Sequence, residues 1–168
     1  VSGMGQSPPP HGEIDFLERF RHRVLRGEKY LTTRLERKGS RGHILEAPWA
    51  YLYIREVWKA QLGLVAGFLH EQSGVDGRGP FLETWEQCYP DEPLDPNREV
   101  WVHHFGLRGQ CPLCGQFVAV SPVPVTAGQT LHVDIHRRAD TEDGYCRHSD
   151  AELSPEKLFP HPHEEGSA

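Results

Sequence analysis

No stretch of this sequence comes near the ~20 consecutive apolar residues that a membrane-spanning helix needs, so no membrane partner is expected. A basic segment followed by an apolar one is missing from its start, which points away from a secretory leader and toward an intracellular, cytoplasmic protein. Val1-Ser2-Gly3 reads as an expression scar or a processed start, and residues 1–11 read as a disordered segment. Also missing are a phosphate-cradling glycine loop, a dinucleotide fingerprint and a recognisable nucleophile motif, which removes the common nucleotide-dependent and acyl-transfer enzymes. Positive charge is not in excess: 18 Lys and Arg against 24 Asp and Glu leave a net charge of −6. A general nucleic-acid coat needs a basic face, and the bulk balance opposes one.

What is there is unevenly spread. Between Ile14 and Arg41 stand Arg19, Arg21, Arg23, Arg26, Lys29, Arg34, Arg37, Lys38 and Arg41, opposed by Asp15, Glu18, Glu28 and Glu36. Nine cations less four anions make this segment about +5 and the remainder strongly acidic. A solvated helix face is the ordinary meaning of such a run. Contact with nucleic acid through Arg19, Arg23 and Arg34 is the sharper one.

Leu17, Phe20, Val24, Leu31 and Leu35 recur at helical spacing, so a first helix is expected over residues 12–38, stopped by Gly39-Ser40. A second is expected from Ala47-Pro48 to Gln72, with proline in its first turn. It carries Trp49, Leu52, Tyr53, Ile54, Val57, Trp58, Leu62, Leu64, Val65, Phe68 and Leu69, too many for one narrow stripe, which implies burial on much of its surface. Gly63 and Gly67 in it read as tolerated small residues. A short helix, Phe81–Cys88, then leads into a proline-rich loop at residues 89–99. Beyond it Val100–Leu107, Phe117–Val120 and Thr130–His136 read as strands. The expected fold class is therefore α+β: a helical N-terminal half with two main helices over residues 12–88, then a small zinc-stabilised β-rich unit over residues 100–159, and a disordered tail over residues 160–168.

The four cysteines are Cys88, Cys111, Cys114 and Cys146. Two disulfides would be the arithmetic reading in a secreted chain; without a leader, and with a tight C-x-x-C, a metal site is the stronger expectation. In Gly109-Gln110-Cys111-Pro112-Leu113-Cys114-Gly115, two thiolates separated by two residues can hold one tetrahedral ion from a turn. Proline stiffens that turn, and the glycine relieves crowding where amides point at sulfur. The segment resembles the C-P-x-C-G zinc knuckle of zinc-ribbon and treble-clef proteins, in which zinc is the resident ion. A thioredoxin-like redox pair is the alternative, but such a motif opens a helix, and Phe117-Val118-Ala119-Val120 follows here instead.

A closed zinc site needs two more ligands. Cys146 and His148 are the leading pair, just ahead of Ser149 and Glu152, which read as a capping box opening a helix. The resemblance to treble-clef sites implies a second ligand pair at such a helix start, although one intervening residue departs from the usual two. His136, His104, His103 and Cys88 compete for the last position, while His161 and His163 read as an accidental pair in the tail. A set of four thiolates including Cys88 would equally suit an iron–sulfur cluster.

Three functional readings follow. The first is an interaction or adaptor module with a structural zinc site on Cys111, Cys114, Cys146 and His148, whose partner is another protein. The second rests on the strand Leu131-His132-Val133-Asp134-Ile135-His136 between the C-x-x-C and Cys146, an order that resembles the HNH endonucleases. That resemblance implies a strand-borne metal ligand and general base, but the sequence lacks an adjacent Asp-His pair, and the segment between His136 and Cys146 lacks the family's asparagine. The third is another metallohydrolase, with His132, Asp134 and His136 on one strand face as an open metal site.

Overall fold

The computed structural model describes residues 10–123 and 130–160. Residues 1–9 and the tail from His161 to Ala168, with the His161 and His163 pair, lie outside that description. The described chain is mostly β, with four short α-helices, none long and apolar enough to cross a membrane. The helical N-terminal half expected from the sequence is not formed.

Where the first long helix was expected stand a short strand β1 (Gly12–Glu13), a single 3-10 turn (Glu18–Phe20), the five-residue α1 (Arg21–Leu25) and a strand β2 (Leu31–Arg34). Gly27, at φ 77°, turns the chain out of α1, so Leu31 and Leu35 never join the stripe begun by Phe20 and Val24. Where the second was expected, β3 (Ile44–Ala47) and β4 (Ala50–Gln61) form a hairpin in which Ala47 faces Ala50. Pro48 and Trp49 are its two turn residues rather than a helix start. Tyr51, Tyr53, Ile54, Val57 and Trp58 are aromatic or β-branched, types that suit a pleated surface, and Tyr51, Leu52 and Ile54 are all buried. Only α2 (Leu62–Phe68) preserves part of the expected helix. The third expected helix is present as α3 (Arg78–Cys88).

The chain divides into two compact units. The first takes the described residues of Val1–Phe16, His43–Tyr53 and Gly106–Ala168. In it β1 runs parallel to β3, β3 antiparallel to the start of β4, and the end of β5 (Glu99–Gln110) antiparallel to β6 (Phe117–Pro122). β6 then pairs with β7 (Leu131–Val133), and β7 with β8 (Glu152–Leu153), both antiparallel. The helix expected at Ser149 is absent: β8 occupies its start, and α4 (Pro155–Leu158) begins only after Ser154. Leu158 is fully buried, and a Cβ at Gly109 would stand 3.0 Å from its Cβ, so glycine on β5 lets the two approach without crowding.

The second unit takes Leu17–Gly42 and Ile54–Phe105. Here β2 pairs antiparallel with β5, Arg34 facing Trp101 and Thr32 facing His103. Leu31, Leu62, Val65, Ala66, Phe81, Trp85, Val100 and Val102 make its core, each large side chain contributing ~1.5–3 kcal/mol by leaving water. Lys29, expected on a solvated basic face, is buried instead. Its Nζ donates to the carbonyls of Leu31 (2.8 Å) and Ser73 (2.7 Å) and lies 4.5 Å from the Phe20 ring centre. Burial pushes this amine down to about 7, with the nearby Arg34 adding to the effect.

Candidate metal centre

The β5–β6 hairpin, closed by the Gln110–Phe117 pair, carries Cys111 and Cys114 on its loop. The Cys111 amide donates to the Gln116 carbonyl, and the Gly115 amide to the Cys111 carbonyl, each at 2.8 Å. Gly115 takes φ 80°, the left-handed conformation that a residue with a Cβ adopts at a cost, which explains the glycine after the second cysteine. The amides of Leu113 and Cys114 point at the Cys111 sulfur. Both thiols are buried, although Pro112 and Leu113 between them are exposed.

Beyond β7 the chain leaves the sheet and makes a closed loop. The Cys146 amide donates to the His136 carbonyl (2.9 Å), Arg137 and Tyr145 form a β-bridge, and the Arg138 amide reaches the Gly144 carbonyl. Gly144 makes the loop's return at φ 79°. His136 and Cys146, with nine residues between them, are thereby held at the loop's base.

Cys111, Cys114, His136 and Cys146 converge: one ligand atom from each lies within 4.8 Å of every other. The Sγ atoms of Cys111 and Cys146 stand 3.7 Å apart, unbonded, with all the cysteines free thiols. A tetrahedron with metal–sulfur bonds of ~2.3 Å has edges of about 3.8 Å, so this spacing suits two ligands of one ion. His136 supplies the decisive detail. Its Nδ1 lies 2.8 Å from the Asp134 carbonyl oxygen, which only accepts, so Nδ1 carries the proton. In the neutral ring Nε2 is then the lone pair, and it is buried and without a hydrogen-bond partner. An orphaned lone pair costs ~1–3 kcal/mol when buried, unless a cation receives it. The group fits a metal ion.

Around these four residues stand further donors. Gln116 Nε2 lies 3.5 Å from the Cys114 sulfur while donating to the Arg137 carbonyl at 2.7 Å. His148, half-buried, brings its Nδ1 to 3.8 Å from the Cys111 sulfur. Desolvation pushes the Cys111 thiol up to about 11, against the amides of Cys114 and Leu113, which favour the thiolate. Without a cation the buried sulfur keeps its proton; a metal ion would displace it.

No family model and no curated protein matches this chain. Two solved structures are similar to it: an ASCH domain from Lactobacillus crispatus JV V101 and the hypothetical protein PH0355. The first is 17% identical with a TM-score of 0.46, over 57% of this chain and 78% of that one. The second is 15% identical with a TM-score of 0.49, over 57% and 97%. At such scores neither likeness says what this chain binds or does.

The remaining candidates are dispersed. His132 pairs with Asp150 at 3.0 Å, Asp134 is exposed and turns its carboxylate onto the Ile135 amide at 2.9 Å, and only His136 faces the thiols. β7 ends at Val133, so the alternation that would align all three does not continue. Cys88 is exposed at the end of α3 and is not among the four converging residues. His103 is fully buried, its Nε2 accepting the Lys38 amide at 2.9 Å and its Nδ1 3.2 Å from the Thr32 carbonyl. His104 lies against Tyr30, ring centres 5.6 Å apart. Arg19 donates to Thr84, Arg23 pairs with Asp76, and Arg34 lies on β2, so these arginines do not share one helix face.

Proposed function

We propose that this chain is a zinc-binding interaction module whose ion, held by Cys111, Cys114, Cys146 and His136, is structural. The observation that carries the reading is the buried, unpartnered Nε2 of His136 beside three buried thiols. Sulfur and imidazole donors without a carboxylate suit zinc, whereas the common iron–sulfur clusters take four thiolates. Four protein ligands leave no open position for a substrate, which favours structure over catalysis. The dispersal of His132 and Asp134 tells against the nuclease and hydrolase readings.

His148 is the other candidate for the fourth ligand, 3.8 Å from the Cys111 sulfur. What favours His136 is its fixed tautomer: a ligand imidazole commonly donates its second N–H to a carbonyl, as His136 does to Asp134. His148 then fits a donor to the Cys111 thiolate. The ion would tie the β5–β6 turn to the loop after β7, supplying folding energy that a small β unit cannot draw from its core alone. The partner is read as another protein, given the net charge of −6 and the engagement of Arg19 and Arg23 within the chain.

Metal analysis of the purified chain tests this reading. One zinc per chain is expected, lost in Cys114→Ser and His136→Ala and retained in His148→Ala. Iron with visible colour, or loss of zinc in His148→Ala but not His136→Ala, overturns it.

A further inference from the structure

Two of the cations that the sequence concentrates before Arg41, Arg34 and Arg37, meet Lys59 in the second unit around one aromatic side chain. Trp101 sits half-buried on β5, directly opposite Arg34 of β2. The guanidinium carbon of Arg37 lies 5.3 Å from the Trp101 ring centre, and the Nζ of Lys59, from β4, lies 5.1 Å from it. Both cations are exposed at the surface. Arg37 gives its Nε to the Gly39 carbonyl at 2.8 Å, which fixes the guanidinium and leaves its terminal nitrogens for another acceptor. Among the described residues neither Arg37 nor Lys59 enters an ion pair, although Glu36 adjoins Arg37 in sequence.

An aromatic face clasped by two cations offers charge more than a bare stacking platform. The ring's negative face holds the cations in place, lowering the entropy lost when they engage an anion. Planar guanidinium groups match carboxylates in a two-pronged fashion. A nucleic acid repeats its phosphates along the whole strand and would need a longer cationic track than Arg34, Arg37 and Lys59 supply. A short run of carboxylates needs only a few cations, which a guanidinium meets in its two-pronged geometry.

We infer that the Arg34–Arg37–Lys59 surface around Trp101 is a docking site for an acidic polypeptide segment. The inference rests on the reading of this chain as an interaction module but not on its metal ion.

Fluorescence anisotropy of a labelled glutamate decapeptide, titrated with the full chain, tests it. Saturable binding is expected at low ionic strength, weakening steadily between about 0.02 and 0.2 M salt. Arg37→Gln and Lys59→Gln should each weaken it by about threefold to tenfold, and Arg37→Glu with Lys59→Glu should abolish it. Both side chains are exposed, and unchanged melting of the Gln variants checks that the fold is intact. Absent binding, or binding indifferent to both Gln variants, overturns the proposal. So does Lys59-dependent binding of a decathymidylate tighter than that of the peptide, which would assign the face to nucleic acid. Zinc content measured on the same samples separates the two readings. Peptide binding absent with one zinc retained sinks the surface alone; binding present without zinc sinks the metal centre alone.

Discussion

The Ser149 hydroxyl grips the backbone of His136 twice, accepting its amide at 3.0 Å and donating to its carbonyl at 3.2 Å. This latch, with the Asp134 carbonyl on Nδ1, sets where the His136 ring points. Ser149→Ala should therefore lower zinc affinity by about 10–100-fold, the usual cost of losing an outer-shell support. Competition with a chromophoric chelator reads this directly. A change below about twofold would mean that Ser149 does not position the ligand.

Zinc uptake should expel a proton from Cys111. Burial holds this thiol up at about 11 in the metal-free protein, so it is protonated near neutral pH and must ionise to bind. Affinity is expected to rise with pH through the neutral range, and calorimetry in buffers of different ionisation enthalpy should report proton release. Affinity independent of pH contradicts it.

Two buried bases give the second unit its own pH response. Burial pushes His103 down to about 4 from an ordinary 6.5, its hydrogen bond with the Thr32 carbonyl opposing the shift. Between those values the unfolded chain binds the proton and the folded one does not, so stability falls as pH drops from 6.5 toward 4. Lys29, at about 7 against 10.5, acts in the same sense over its own window, stability rising as pH increases across it. Melting temperatures across pH test both: His103→Gln should flatten the acid limb and Lys29→Met the alkaline one. An unchanged slope in either variant contradicts its assignment.

Gly63 and Gly67 share α2 but should respond oppositely to alanine. A Cβ at Gly63 would stand 2.9 Å from the Pro96 Cβ and 3.1 Å from the Pro96 carbonyl oxygen, and the Gly63 amide donates to that same carbonyl. Gly63→Ala should cost about 1–3 kcal/mol through overpacking. Nothing lies within 4 Å of a Cβ at Gly67, so Gly67→Ala should gain about 0.5–1 kcal/mol from reduced chain entropy. Denaturant unfolding of both variants checks the signs, and equal effects would contradict this packing.

These residues also mark how far the sequence was legible. Cys111, Cys114 and Gly115 lie within five consecutive residues, and local rules of turn geometry make their meaning visible. His136 was one competitor among several because its approach to the thiols depends on a loop closing back through Arg137, Tyr145 and Cys146, which no spacing rule encodes. Strands around β5 and β6 were readable from alternation and β-branched content. The N-terminal region misled because Phe20 and Val24 do lie in helical turns, and only the left-handed Gly27 breaks the stripe before Leu31. In β4, an apolar run from Ala50 to Ile54 fits a buried helix and a buried strand equally; Tyr51, Tyr53 and Ile54 were the signal that should have decided for the strand.

The most direct test of the metal centre is X-ray absorption at the metal edge of the purified full chain. Zinc with three sulfur neighbours at ~2.3 Å and one imidazole nitrogen at ~2.0–2.1 Å is the expected result, with the nitrogen shell unchanged in His148→Ala. Four sulfur neighbours, an iron edge, or a nitrogen shell lost in His148→Ala would contradict it.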